Sequence, residues 1–173
     1  GPALAPSVEF EMEIRSMSRA FVSEDAAAAK AAILPERPVS DRPNLVTERG
    51  LRLIEAEVAR LQEAIAKTVS DSEERPALAR DLRYWQARKA SARMMGAAPA
   101  APSEVAFGTT VTLRRQDGGT VRYRIVGEDE ADPAQGLLSW ASPLAEAMME
   151  AETGDEIDLP GRPPMTVAAI TRD

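Results

Sequence analysis

The sequence predicts an α+β protein: an N-terminal antiparallel α-helical coiled-coil hairpin followed by a small antiparallel-sheet domain with one helix. Three observations predict it. Between Thr47 and Met95, apolar residues recur at helical spacing in two runs separated by a short polar turn. Across residues 104–173 they alternate instead with a period of two. Between these regions Gly96-Ala97-Ala98-Pro99-Ala100-Ala101-Pro102 has no periodicity and reads as a link. At 173 residues the chain suits one or two small domains.

Residues 1–16 precede Met17-Ser18-Arg19 and open on Gly1-Pro2, as a trimmed expression tag would, so they are set aside from the fold. Residues 17–46 form an N-terminal extension and linker. Within it, Ala26–Ala29 favours a short helix capped by Ser23, and Pro35, Pro38 and Pro43 favour extended chain. The hairpin occupies 47–95. Thr47 is a good N-cap, although Gly50 stands where a capping box would place Glu. Leu51, Ile54, Val58, Leu61 and Ile65 follow at spacings of 3, 4, 3 and 4, a heptad seam with charge on the other faces. Helical signals end near Val69. The turn Ser70-Asp71-Ser72-Glu73-Glu74-Arg75 follows, and Pro76 suits the first position of a second helix capped by Glu74 or Arg75. Leu78, Leu82 and Trp85 continue its apolar face, thinning to Ala92 and Met95, and a short connection makes the two helices antiparallel.

Residues 96–103 link to the domain at 104–173. There Val111 and Leu113, then Val121, Tyr123 and Ile125, alternate with polar residues around Gln116-Asp117-Gly118-Gly119, a hairpin turn. Leu137–Trp140 is a short strand. Pro143–Ala151 is a helix with Ser142 as N-cap, and strands near 156–159 and 165–170 complete an antiparallel sheet on one helix.

Composition narrows the chemistry. With no Cys and no His, the chain has no disulfide, no thiolate or imidazole metal site and no His-based triad. Any catalysis of its own would rest on carboxylates, Lys, Tyr or Ser, and no enzymatic site of that kind stands out. No apolar run approaches the ~20 residues of a membrane span and no secretory signal is visible, so the cytosol is the expected compartment. The net charge of −7 is unevenly spread. Arg75, Arg80, Arg83, Arg88, Lys89 and Arg93 face one acid, Asp81, between residues 75 and 95, whereas residues 96–173 hold six basic against thirteen acidic residues. Such a chain is no simple duplex-DNA binder. Arg80, Arg83, Arg88 and Lys89 are candidate contacts to nascent RNA or to an acidic channel; the alternative is a solvated helix face. Tyr84 and Trp85 could stack on RNA or pack in the hairpin. Gly118-Gly119 is no phosphate loop, because no Lys-Ser/Thr or helix start follows.

Phe107-Gly108, then Ile125-Val126-Gly127-Glu128-Asp129-Glu130-Ala131-Asp132, Ser142-Pro143-Leu144-Ala145 and Gly154-Asp155-Glu156 stand in the order and spacing of the Gre transcript-cleavage factors, and the chain resembles the C-terminal domain of that family. The resemblance implies an FKBP-like fold for 104–173. It also implies docking on the rim of the secondary channel of bacterial RNA polymerase core, with Ser142, Pro143, Glu128, Asp129, Glu130 and Asp132 as partner-binding candidates. An FKBP-like fold does not by itself imply prolyl isomerase activity.

In the family an Asp-x-x-Glu pair at the hairpin tip secures a polymerase metal ion, as hard oxygen ligands can. Asp71 and Glu74, with Glu73 beside them, keep that spacing. The surrounding motif departs: Ser70 replaces Gly, and Arg75-Pro76-Ala77-Leu78 stands where Asn-Ala-x-Tyr is the pattern. The family's hairpin has about ten more residues per helix, so the tip here would fall short by ~15 Å. Glu146 also stands where the family usually has Arg after Ser-Pro-x-Ala.

The first expectation is a polymerase-binding transcription regulator whose short coiled coil occupies the channel. Alternatives are a true cleavage factor using Asp71 and Glu74, and an adaptor that binds another protein. No cofactor or metal of its own is expected, only a possible shared Mg2+ of the polymerase, no membrane contact, and a monomer rather than an oligomer.

Overall fold

The structure, a computed structural model, describes residues 34–173. The segment 1–16 and the helix expected at Ala26–Ala29 lie outside the described residues. The elements in order are β1 (Leu45–Val46), α1 (Glu48–Lys67), α2 (Arg75–Ser91), β2 (Arg93–Met94), β3 (Thr110–Arg114), β4 (Thr120–Val126), a 3-10 turn (Pro133–Gln135), β5 (Leu137–Ser139), α3 (Pro143–Met148), β6 (Glu156–Ile157) and β7 (Met165–Thr171). The chain divides into two compact units. One joins residues 58–84 to the described residues up to Pro38, and the other joins 39–57 to 85–173.

In the first unit the expected seam is buried where it is most apolar. Val58 and Leu61 lie inside while Arg60, Glu63 and Lys67 face solvent; Leu78 and Leu82 are half-buried on α2. The turn between the helices is closed by its own backbone: Ser72 N–H donates to the Val69 carbonyl at 3.0 Å and Arg75 N–H to the Ser72 carbonyl at 3.3 Å. The guanidinium of Arg75 returns to the Thr68 carbonyl at 3.3 Å, satisfying an end group of α1. Leu78 N–H donates to the Glu74 carbonyl, so Glu74 is the cap. Pro76 is buried at the second helical position, where a missing N–H costs nothing.

The second unit holds a five-stranded sheet in the order β5-β4-β3-β7-β6. β3 pairs antiparallel with both β4 and β7, with Leu113 opposite Val121 on one side and Val167 on the other. The hairpin turn falls at Asp117-Gly118-Gly119, where Gly118 takes φ 87° and Arg115 N–H donates to the Gly119 carbonyl at 2.7 Å. Val111, Leu113, Ile125, Leu138 and Val167 form the inner face, and Leu144, Ala145 and Met148 of α3 pack on it.

Three expectations are corrected. β5 runs parallel to β4, not antiparallel, because the ten-residue connection 127–136 is long enough to carry the chain back before pairing. α3 stops at Met148, not Ala151: Glu150 adopts φ 66°, and its N–H and that of Ala151 serve the Val105 and Met148 carbonyls. The second helix ends at Ser91 and not at Met95. Arg93 and Met95 instead donate to the carbonyls of Asn44 and Val46 at 2.8 and 2.9 Å, making β1 and β2 a parallel pair. The extension placed at 17–46 thus ends in ordered strand. No described helix is long and apolar enough to cross a membrane.

Leu61 is 1% exposed, so Leu61→Ala leaves a cavity. It should cost about 2–5 kcal/mol in denaturant unfolding, and an unchanged midpoint would contradict burial of the seam.

Candidate functional site

The tip acids are presented outward. Asp71, Glu73 and Glu74 are all exposed, in a turn whose backbone is tied to itself. Among the described residues no group of three or more acidic side chains is placed to hold a metal ion. Asp71 and Glu74 could supply part of a coordination sphere of six or more oxygens, the remainder coming from another molecule.

The four basic candidates on α2 have different fates. Arg88 is a correction to the sequence reading: its side chain is 2% exposed and unavailable to RNA or to a channel wall. Its Nε donates to Asp129 Oδ2 at 2.5 Å and its Nη2 to Asn44 Oδ1 at 2.8 Å, with Glu128 Oε2 3.5 Å away. Asn44 reciprocates through Nδ2 to the Arg88 carbonyl at 2.8 Å. A buried guanidinium is tolerated only with carboxylate and amide partners of this kind. Arg83 is exposed but engaged by Glu36, its Nη2 lying 2.6 Å from Oε1. That contact holds the Glu36 carboxyl below the usual carboxylate range and pushes the Arg83 guanidinium up. Arg80 lies 3.3 Å from its neighbour Asp81. Lys89 is exposed, with no carboxylate in ion-pair range among the described residues.

The acidic loop after β4 is also largely turned inward. Glu130 is 4% exposed: it accepts from the Thr47 hydroxyl at 2.5 Å and from Arg49 Nη1 at 2.9 Å. Thr47 in turn accepts from Gly50 N–H at 3.0 Å and so caps α1. Gly50 now has a reason. A Cβ there would sit 2.9 Å from Glu130 Oε1, so the missing side chain lets this loop carboxylate reach the capping hydroxyl of Thr47 and hold it in place. Gly127 permits the same approach, since a Cβ there would meet the Leu45 carbonyl at 2.4 Å. Of the partner-binding candidates in this loop, Asp129 and Glu130 are committed inside the unit, Glu128 is half-buried, and Asp132 is exposed.

Ser142 is the N-cap of α3, accepting from Ala145 N–H at 3.3 Å and donating to the Ser139 carbonyl at 2.7 Å. Pro143 beside it is exposed at the first helical position. Both line a cavity of about 300 Å³ with Tyr123, Pro133, Leu138 and Leu159, an apolar recess that Arg162 borders. Glu146 is exposed on the same helix and pairs with Arg42 at 2.7 Å.

Sequence reasoning missed Glu36, Arg42 and Asn44, which lie in what read as a linker. Their partners, Arg83, Glu146 and Arg88, lie more than forty residues away, so no local signal marked them.

With this geometry in view, the family model described as Transcription elongation factor, GreA/GreB, C-term matches residues 100–171. GreA of Alkalilimnicola ehrlichii is 34% identical over 132 residues, covering 64% of this chain and 84% of that relative. The chain belongs to the GreA/GreB family. GreB of Neisseria meningitidis serogroup B is 49% identical over 59 residues, 34% of this chain and 36% of the relative. GreB of Pseudomonas aeruginosa is 41% identical over 76 residues, 44% of this chain and 45% of the relative. The match thus spans less than half the length of these two relatives. A solved GreA/GreB factor from Nitrosomonas europaea superposes with TM-score 0.38 at 18% identity, over 73% of this chain and 98% of that one.

Removing one side of the buried pair tests its place in the fold. Asp129→Ala leaves the buried Arg88 charge with only Glu128 at 3.5 Å and Asn44, and should cost about 3 kcal/mol in unfolding free energy. The double change Asp129→Ala with Arg88→Met should recover part of that loss, and a single-variant cost near zero would contradict the pairing.

Proposed function

We propose that this chain is a transcription regulator that binds RNA polymerase through the domain of residues 104–173, an FKBP-like unit, and places a short α1–α2 coiled-coil hairpin in the secondary channel. The carrying observation is family membership, with the family match lying on that domain. The exposed Pro143, beside the apolar recess it shares with Ser142, supplies a preformed docking surface whose backbone is already capped. Asp132 offers the one carboxylate of the acidic loop 128–132 that is exposed rather than buried or half-buried.

The action proposed at the channel is obstruction or tuning of transcription rather than strong stimulation of transcript cleavage. α1 and α2 have 20 and 17 residues, so neither exceeds ~30 Å. Metal ligation tolerates positional errors of only a few tenths of an ångström. The tip also lacks the family's residues after Glu74: Arg75 is bent back onto α1 and Pro76 is buried. The second reading, a cleavage factor that completes a polymerase Mg2+ site, is favoured by one observation, the outward exposure of Asp71 and Glu74.

Two experiments test these readings. Ser142→Ala combined with Pro143→Ala should weaken binding to core polymerase about tenfold, equivalent to ~1.4 kcal/mol, while the protein stays folded at the assay temperature despite the ~1 kcal/mol lost with the α3 cap. Undiminished affinity in a titration would remove the docking surface. For the tip, Asp71→Ala with Glu74→Ala should leave the effect on transcription within about twofold of wild type, since neither residue adds the bulk that obstructs a channel. Cleavage of backtracked transcripts that wild type stimulates and this double variant does not would establish the second reading instead.

A further inference from the structure

The strand register divides the side chains of the C-terminal sheet between two faces. Val111, Leu113 and Val167 enter the core, so Thr112 and Arg114 on β3 share the opposite face with the residues paired to them. Row by row, that outer face carries Arg124 with Thr110 and Thr171, Arg122 with Thr112 and Ala169, and Arg114 with Thr120 and Thr166. The rows of Arg124 and Arg114 are four residues of β4 apart, so three guanidinium groups lie along about 14 Å of sheet. Residues 96–173 hold six basic against thirteen acidic residues, and half of those bases stand on this one face. Among the described residues none of the three arginines has a carboxylate in ion-pair range. Arg114 and Arg122 are exposed, and Arg122 makes one long bond, 3.4 Å, to the Asp173 carbonyl. Arg124 is half-buried, and its Nε is sealed from solvent without an acceptor. The strand acid on this face is Glu156 of β6, opposite Thr166 and two strands away from Arg114.

We propose that this outer face is a docking surface for an extended acidic segment of a partner protein, whose carboxylates pair with Arg114, Arg122 and Arg124. An extended peptide turns every second side chain to one side, a repeat of ~6.8 Å, which is also the repeat of Arg122 and Arg124 along β4. A guanidinium takes a carboxylate through two parallel donors, and the threonine hydroxyls between the arginines add further donors. The three outer rows of β3, β4 and β7 carry no aromatic side chain, so the bases of a single-stranded nucleic acid find no stacking platform there. A long phosphate chain would also run past the ~14 Å of arginines onto a domain of its own charge sign, whereas a short acidic segment ends with them. The inference goes beyond the proposed function. The surface lies across the sheet from α3 and needs neither Ser142 nor Pro143, so its failure would leave the polymerase-docking reading standing.

The test is fluorescence anisotropy of a short labelled peptide of alternating Glu and Ser residues, titrated with the full chain at low and at physiological salt. Wild type should bind it saturably, and Arg114→Ala with Arg122→Ala should weaken that binding about tenfold at low salt, less as salt rises. Arg115→Ala with Arg162→Ala removes the same charge from the other side of the sheet, where both residues line a cavity with Tyr123 and Leu144. That control should change affinity by less than about twofold, as should Ser142→Ala with Pro143→Ala. All four arginines substituted are exposed, so both arginine variants stay folded. In wild type, saturating peptide should also move the Arg124 Nε–H resonance. Four results would overturn the proposal. One is the absence of saturable binding, and another is an Arg124 resonance that does not move. A third is an equal loss from the two arginine variants, which would mean that net charge alone is read. The last is displacement of the peptide by oligothymidylate of matched charge at a lower concentration than by unlabelled peptide, which would make the face a nucleic-acid surface.

Discussion

The guanidinium of Arg88 leaves α2 and enters the interior of the unit formed by residues 39–57 and 85–173, where Asp129, Glu128 and Asn44 converge on it. These partners come from two stretches of chain remote from α2 in sequence, the segment at Asn44 and the loop after β4. Burying that charge without them would be prohibitive, so the position of α2's last turn, of the strand pair β1–β2 and of the loop after β4 are mutually dependent. The segment 39–47, apolar only in part, is ordered for this reason. Asn44 both accepts from Arg88 and donates to its carbonyl, so the segment cannot leave without exposing two buried polar groups.

A second link runs in parallel. Glu130 anchors Thr47, the residue that caps α1, and accepts from Arg49, and Gly50 and Gly127 remove the side chains that would block the approach. The acidic loop that the family pattern marks as a partner surface is in this chain also a structural clasp. Its two most buried carboxylates, Asp129 and Glu130, hold the helices of its own unit, whereas Asp132 is exposed.

The helix that looks most basic in sequence is therefore largely neutralised in the folded chain. Arg88 is internal, Arg83 is covered by Glu36, Arg80 borders Asp81, and Lys89 is left exposed. A local excess of charge says how many guanidinium groups a helix carries, not how many are offered. The Glu36–Arg83 pair is itself exposed, so salt and solvent loosen it far more readily than the buried pairs of Arg88.

Local pattern determined much of what is seen. The apolar helix face at Ile54, Val58 and Leu61, the alternation at Val111 and Leu113, the Asp117-Gly118-Gly119 turn and the Ser142 and Thr47 caps depend on neighbours within a few residues, and each forms as its spacing dictates. The tertiary structure decided the rest: the parallel pairing of β5, the β1–β2 ladder, the inward turn of Arg88 and the anchoring of the Thr47 hydroxyl by Glu130. These join residues more than forty positions apart or depend on which edge a connection returns to. A charged side chain carries no local mark of whether solvent or a distant carboxylate will meet it. Arg88 and Lys89 are adjacent and chemically alike in sequence, and only the hundred degrees of helix between them sends one inward and leaves the other in water.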